Sequence, residues 1–262
     1  MAVPANARVP DAGRVLVEVA VDSLTGAEAA VAGGADRLEL CACLQEGGLT
    51  PSLGLFEAVR AAVAVPVFVM LRPRPGDFLY DRGEFAAMQR DAAHFRRAGA
   101  NGLVAGVLTS DGALDGPRLR ELFALGDGLP CTCHRAFDLC RDPDAALTTL
   151  LDLGAARVLT SGQASSAALG SERIRRCVAI AGARLTVLAG AGVRDDNVAA
   201  LVAATGVREV HLSATRWQPS GMTFRRESVP MGSASPSDEY QLRTTDPAMV
   251  ARVRQALASM RG

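Results

Sequence analysis

The sequence predicts an α/β fold, a single (β/α)8 TIM barrel, and three observations carry that reading. The first is length: 262 residues without a Pro/Gly-rich or charged linker suit one barrel domain. The second is a joint that recurs along the chain, in which a helix-like stretch ends at Gly and a β-branched or Leu-rich run follows. It reads Gly34-Ala35-Asp36-Arg37-Leu38, Gly99-Ala100-Asn101-Gly102-Leu103, Gly154-Ala155-Ala156-Arg157-Val158 and Gly206-Val207-Arg208-Glu209-Val210. Each Gly stands where the residue after a helix takes positive φ, and helix-to-strand joints at βα spacing imply a parallel sheet. The third is the number of strand-like runs, which is eight. A closed barrel accommodates eight better than an open doubly wound sheet.

In chain order the predicted strands are 15–21, 37–41, 67–72, 103–108, 131–135, 157–161, 185–189 and 209–213. Stretches such as 83–97 and 142–153 supply the intervening helices, with Phe85, Met88 and Phe95 on one helical face. Residues 1–13, with Pro4, Asn6, Arg8 and Pro10, read as a flexible tail ahead of a barrel domain over 14–262.

Composition excludes several function classes. Hydrophobic residues make up 49% with one Trp and two Tyr, so the core is one of Ala, Val and Leu. Formal charge is zero and no block of like charges occurs, which argues against nucleic acid or an anionic membrane as a partner and favours a small molecule. No stretch reaches the ~20 apolar residues of a membrane span. All 28 basic residues are Arg, so Schiff-base chemistry on a Lys amine is excluded. The six Cys follow no secretory signal, and reduced thiols in the cytoplasm are expected. No nucleotide-cofactor motif is read.

Strand parity sorts the side chains, because alternate residues point to opposite faces. With Val210 and Leu212 towards the helices, His211 and Ser213 turn inward. The same alternation turns Glu18, Glu39 and Cys41 inward. With Arg72 and His134, the mouth of the barrel collects carboxylates, a guanidinium and two imidazoles, at the strand ends where barrels of this class carry their chemistry. Glu18 or Glu39 is then a candidate general base, His134 an acid, Arg72 an orienting group for an anion, and Asp138 a further catalytic candidate. The plainer alternative is a salt-bridged plug, Glu18 or Glu39 against Arg72. Loops around 46–48 and 77–80 are long enough to close over a substrate.

Two Gly turns, Ser161-Gly162 and Gly190-Ala191-Gly192, are candidate anion cradles together with Ser213, since backbone N–H groups at such turns bind phosphate or carboxylate. A tight turn into the next helix is the alternative. Among the thiols, Cys131 and Cys133 are out of phase with His134 and are expected to face helices. Cys41 and Cys43, at a strand end and in the following loop, are the candidate Cu(I) ligands. Cys140 and Cys177 read as packing residues and His94 as a surface histidine.

Along almost its whole length from about Leu16, the sequence resembles the CutC copper-homeostasis family. The runs that carry the resemblance are 34–41 (GADRLELC), 46–52 (EGGLTPS), Arg72-Pro73-Arg74 with Gly76-Asp77-Phe78, 134–138 (HRAFD), 159–162 (LTSG), Gly190-Ala191-Gly192-Val193 and Ser237-Asp238-Glu239-Tyr240. The resemblance implies a barrel, a cytoplasmic location, a homodimer or higher homo-oligomer, and a part in copper homeostasis with Cu(I) at Cys41. This chain carries Ala20 where some relatives have a second Cys. Two functions therefore stand open: copper handling at Cys41 and Cys43, or an enzyme acting on a small anionic or sugar-like molecule.

Overall fold

The computed structural model describes residues 14–226, 228–229 and 239–261. The proposed tail over 1–13 lies outside the described residues, as do Ser237 and Asp238 of the last family-like run.

Eight parallel strands close into a barrel in sequential order. They are β1 (Leu16–Val21), β2 (Arg37–Leu40), β3 (Val67–Leu71), β4 (Gly102–Ala105), β5 (Cys131–Cys133), β6 (Arg157–Thr160), β7 (Thr186–Ala189) and β8 (Glu209–Leu212). Helices α1 (Leu24–Ala32), α2 (Leu53–Ala62), α3 (Arg82–Arg97), α4 (Gly116–Leu125), α5 (Pro143–Asp152), α6 (Ser171–Ala181), α7 (Val198–Thr205) and α8 (Pro247–Ala258) follow the strands in turn. Between β8 and α8 an antiparallel hairpin intervenes, β9 (Thr215–Pro219) and β10 (Gln241–Thr245). Among the described residues no helix is long and apolar enough to cross a membrane.

Local chemistry explains these boundaries. Gly34, Gly99, Gly154 and Gly206, the four joints read from the sequence, all take positive φ between 68° and 97°. Six of the eight helix starts, all but those of α6 and α7, are capped by side chains, most completely in α3. There Asp81 accepts from the Glu84 amide, and Glu84 reaches back to the Asp81 amide. The predicted fifth strand stops at Cys133, because the His134 side chain caps a 3-10 turn over Arg135–Leu139. The fourth stops at Ala105, short of the predicted Leu108.

Burial separates two apolar regions. A shell between barrel and helices contains Leu38, Leu40, Val69, Leu71 and Val210, and Cys131 and Cys133 belong to it. Inside the barrel a smaller cluster joins Cys41, Phe68, Met70 and Val104. Cys131 and Cys133 thus face helices, as strand parity requires.

Candidate functional site at the barrel mouth

The barrel interior is layered by register. Glu18 stands beside Arg37 on β2 and His211 on β8, while Ala20 stands beside Glu39, one step nearer the mouth. On the lower layer, Arg37 pairs with Glu18 and donates to Glu209 at 2.5 Å, and Arg157 donates to Glu209 at 3.0 Å. Both guanidiniums pack on Phe68, 4.9 and 5.0 Å from the ring centre. Burial alone would raise the Glu18 carboxyl, but Arg37 and His211 reverse that and hold it at about 2, a permanent anion. A salt-bridged plug therefore does exist, but its cations are Arg37 and Arg157, and it lies below the mouth.

From this layer the charge chain rises through His211. Its Nδ1 lies 2.8 Å from Glu18 Oε1, and its Nε2 lies 3.8 Å from Glu39 Oε2. Although burial opposes the cation, the two carboxylates raise the His211 pKa. Glu39 is 2% exposed and responds the other way. Burial pushes its carboxyl up to about 7, against the attraction of His211 and with the repulsion of Glu18. Its Oε2 accepts weakly from the Cys41 thiol at 3.6 Å, and its Oε1 has no partner among the described residues.

Across the barrel, on the β5 side, His134 is 3% exposed. Its Nδ1 accepts the Ala136 amide hydrogen at 3.1 Å, so the neutral ring carries its proton on Nε2, which has no partner among the described residues. Burial, reinforced by Arg72, holds its pKa down at about 3, so the imidazole stays neutral. The ring packs at a tilt of 44° against Phe78, 4.8 Å between centroids, and Phe78 in turn lies under the Arg72 guanidinium at 5.1 Å. Gly106 makes room for it: a Cβ there would come within 2.5 Å of the His134 ring.

Glu39, Arg72, His134 and His211 line one cavity of about 630 Å³ at the strand C-termini. Leu44, Glu46, Gly47 and Phe78 from the loops after β2 and β3 also line it, which places both long loops at the mouth. Glu18 is absent from the cavity wall, one layer too deep to meet a ligand. Arg72 is present, but its Nη atoms donate to the carbonyls of Glu46 (2.6 Å), Gly48 (3.2 Å) and Gly76 (2.9 Å). It clamps the two loops.

Asp138 and the first Gly turn lock together. The Asp138 carboxylate accepts from the Ser161 amide (3.0 and 3.1 Å) and hydroxyl (2.9 Å), the Gln163 amide (3.1 Å), the Thr160 hydroxyl (2.5 Å) and Arg135 (2.7 Å). The Gly162 amide goes to Thr160 Oγ1 at 2.8 Å. An internal carboxylate thus occupies the cradle expected to bind an external anion, and the same bonds leave Asp138 no free lone pair for proton transfer.

The second turn divides. The Gly190 amide donates to Thr160 O at 3.0 Å, and the position is glycine because a Cβ would meet Leu159 at 2.6 Å. Ala191, Gly192 and Val193 line the cavity, and Ser213 lines it from the end of β8.

The thiols sit elsewhere. Cys41 is fully buried, and burial with the neighbouring Glu39 raises its pKa well above the ordinary thiol value, so it is held as a thiol. Cys43 is half-buried in a left-handed conformation, φ 53°, at the start of the 3-10 turn over Leu44–Glu46. Among the described residues, one group of three His, Cys, Asp or Glu brings its ligand atoms within 4.8 Å of one another. It is Glu18, Glu39 and His211, with no Cys. Cys140 and Cys177 are buried and His94 is exposed.

Arg37, Arg157 and Glu209 escaped the sequence reading. The signal was present, since the alternation that turns Glu39 inward turns Arg37 inward too. Arg243, which lines the cavity from β10, was also missed.

Comparison with known proteins agrees with this architecture. The model of the CutC family matches residues 15–216. A human protein named copper homeostasis protein cutC homolog is 47% identical over 246 residues, covering 92% of this chain and 90% of its own. A CutC family protein of Vibrio vulnificus strain YJ016 is 46% identical over 246 residues, covering 93% and 98%. Among solved structures, a CutC protein from Streptococcus agalactiae superposes with a TM-score of 0.73 at 30% identity, covering 76% of this chain and 98% of its own.

Proposed function

Because this chain belongs to the CutC family, whose named relatives are described by copper homeostasis and not by a reaction, we propose from its own residues that the barrel mouth is an enzyme site. It performs acid–base chemistry on a small polar molecule. The observation that carries this is the pair Glu39 Oε1 and His134 Nε2, two buried polar atoms on the wall of one cavity without partners among the described residues. Each unpaired buried group costs ~1–3 kcal/mol, which a ligand supplying the missing partner recovers.

The roles follow from charge state. Glu39, with a carboxyl pKa of about 7, is poised to take a proton near neutral pH. His134, neutral with its hydrogen on Nε2, donates to an oxygen on which negative charge develops. Carboxylate base and neutral imidazole together suit removal of a proton beside a carbonyl, followed by its return to another atom. β2 and β5 stand three strands apart in a ring of eight, so the two groups approach a ligand from opposite sides. The fixed Glu18 anion and His211, whose protonated form the two carboxylates favour, set the field beneath Glu39.

Cu(I) at Cys41 with Cys43 is a second reading, favoured by the relatives' names. The donor set fits it poorly: Cu(I) prefers paired thiolates, whereas Cys41 is a buried thiol against a carboxylate.

Thermal-shift screening of hydroxy-carbonyl and sugar-acid metabolites against the wild type and Glu39→Gln tests the proposal. A stabilising compound that undergoes proton exchange with solvent in the wild type, slowed ~10²–10⁴-fold in Glu39→Gln, is expected. A ligand that binds outside the mouth, or exchange unaffected by Glu39→Gln, contradicts it.

A further inference from the structure

We propose that the β7–β8 side of the mouth is a phosphate subsite, formed by the amides of Ala191, Gly192 and Val193 with the guanidiniums of Arg194 and Arg243. The molecule handled there is then a phosphate monoester of a small carbonyl or hydroxyl compound. This deepens the acid–base reading above and rests on it for the fate of the rest of the molecule.

The donors are available. All five residues line the cavity. Unlike the amides of Ser161, Gly162 and Gly190, those of Ala191, Gly192 and Val193 donate to no acceptor among the described residues. Ala191 and Gly192 both take positive φ, 76° and 72°, in the turn after β7 that borders the cavity.

Among the described residues, neither guanidinium has an ion-pair partner in the salt bridges of the structure. Arg243 bonds Thr215 Oγ1 at 3.1 and 3.3 Å, and Thr215 Oγ1 donates to Ser213 Oγ at 3.0 Å, which ties the hairpin to the end of β8. Arg194 makes no side-chain bond among the described residues. The neighbouring acids are engaged elsewhere: Asp195 pairs with Arg252 at 2.5 Å, and Asp246 caps α8.

Donor count separates phosphate from carboxylate. Two guanidiniums beside three amides match a phosphate monoester, which offers three terminal oxygens and nearly two charges, better than a carboxylate, which carries a single charge. His134 Nε2, buried and without a partner among the described residues, borders the same cavity from the β5 side, where the rest of such a molecule would lie.

Titration of the 15N-labelled full chain with inorganic phosphate tests the subsite. The Ala191, Gly192 and Val193 amide signals should move together along one saturable curve. Arg243→Gln should weaken the affinity about tenfold or more, ~1.4 kcal/mol. Arg194→Gln serves as a second variant if the hairpin rearranges. Glu39→Gln should leave phosphate affinity unchanged. Still signals at these amides, or unchanged affinity in both Arg variants, would overturn the subsite while leaving the acid–base reading standing. Phosphate bound here with no organic molecule accepted at the mouth would sink that reading and leave the subsite.

Discussion

Glu18 orients His211 through a 2.8 Å contact between its Oε1 and the ring Nδ1, and this leaves the other ring nitrogen facing Glu39 at 3.8 Å. The pair links the structural charge layer to the mouth. Arg37 fixes Glu18 as an anion, Glu18 favours the His211 cation, and that cation lowers the Glu39 carboxyl pKa against the effect of burial.

His211→Gln removes the imidazole whose protonated form lowers the Glu39 carboxyl pKa and keeps a polar side chain of similar reach. The Glu39 carboxyl should then titrate above its wild-type value of about 7. Carboxyl 13C NMR of labelled Glu reads this directly, and an unchanged or lowered midpoint contradicts the assignment.

Acid should destabilise the fold in two windows. His134 has its pKa depressed from 6.5 to about 3, so the unfolded chain binds the proton first and stability falls as pH drops from 6.5 towards 3. Glu18 is depressed from 4.5 to about 2, and its contribution is lost between those values. Each is worth on the order of a few kcal/mol. In urea unfolding followed against pH, His134→Gln should flatten the upper window and leave the lower one.

Arg37→Met leaves Glu18 and Glu209 buried without their shared cation. Removing one partner from a buried ion pair costs ~3–5 kcal/mol, because the remaining charge is uncompensated. Chemical denaturation should show a loss of that order. A loss below ~1 kcal/mol would mean that water or Arg157 replaces the pairing.

Thiol chemistry should rank the cysteines by burial and charge. Cys43 should alkylate before Cys41, which is fully buried beside Glu39 and should react only on unfolding. In Cu(I) competition titrations under reducing conditions, Cys41→Ser should bind copper as the wild type does. A tight wild-type site lost in Cys41→Ser would favour the copper reading.

The sequence carried the barrel and much of its mouth because two periodicities are local. Gly34, Gly99, Gly154 and Gly206 mark helix ends wherever they stand, and alternation turned Glu18, Glu39 and His211 inward. The partner of each charge depends on register between strands far apart in sequence, as with Glu18 on β1 and His211 on β8, and composition does not reveal it. Asp138 illustrates the limit: its carboxylate fills the Ser161-Gly162 turn from 23 residues away, so a cradle read as open is closed. Thr215–Pro219 and Gln241–Thr245 show no apolar alternation, which hid the hairpin and with it Arg243.

The most direct test of the acid–base site is a crystal soaked with a mixture of phosphorylated and sugar-acid metabolites. Density for a small molecule at the mouth, with an oxygen in hydrogen-bonding reach of His134 Nε2 and a polar or acidic carbon-bound hydrogen facing Glu39 Oε1, is the predicted result. Density for a metal ion on Cys41 and Cys43, with the mouth holding only water, would contradict it.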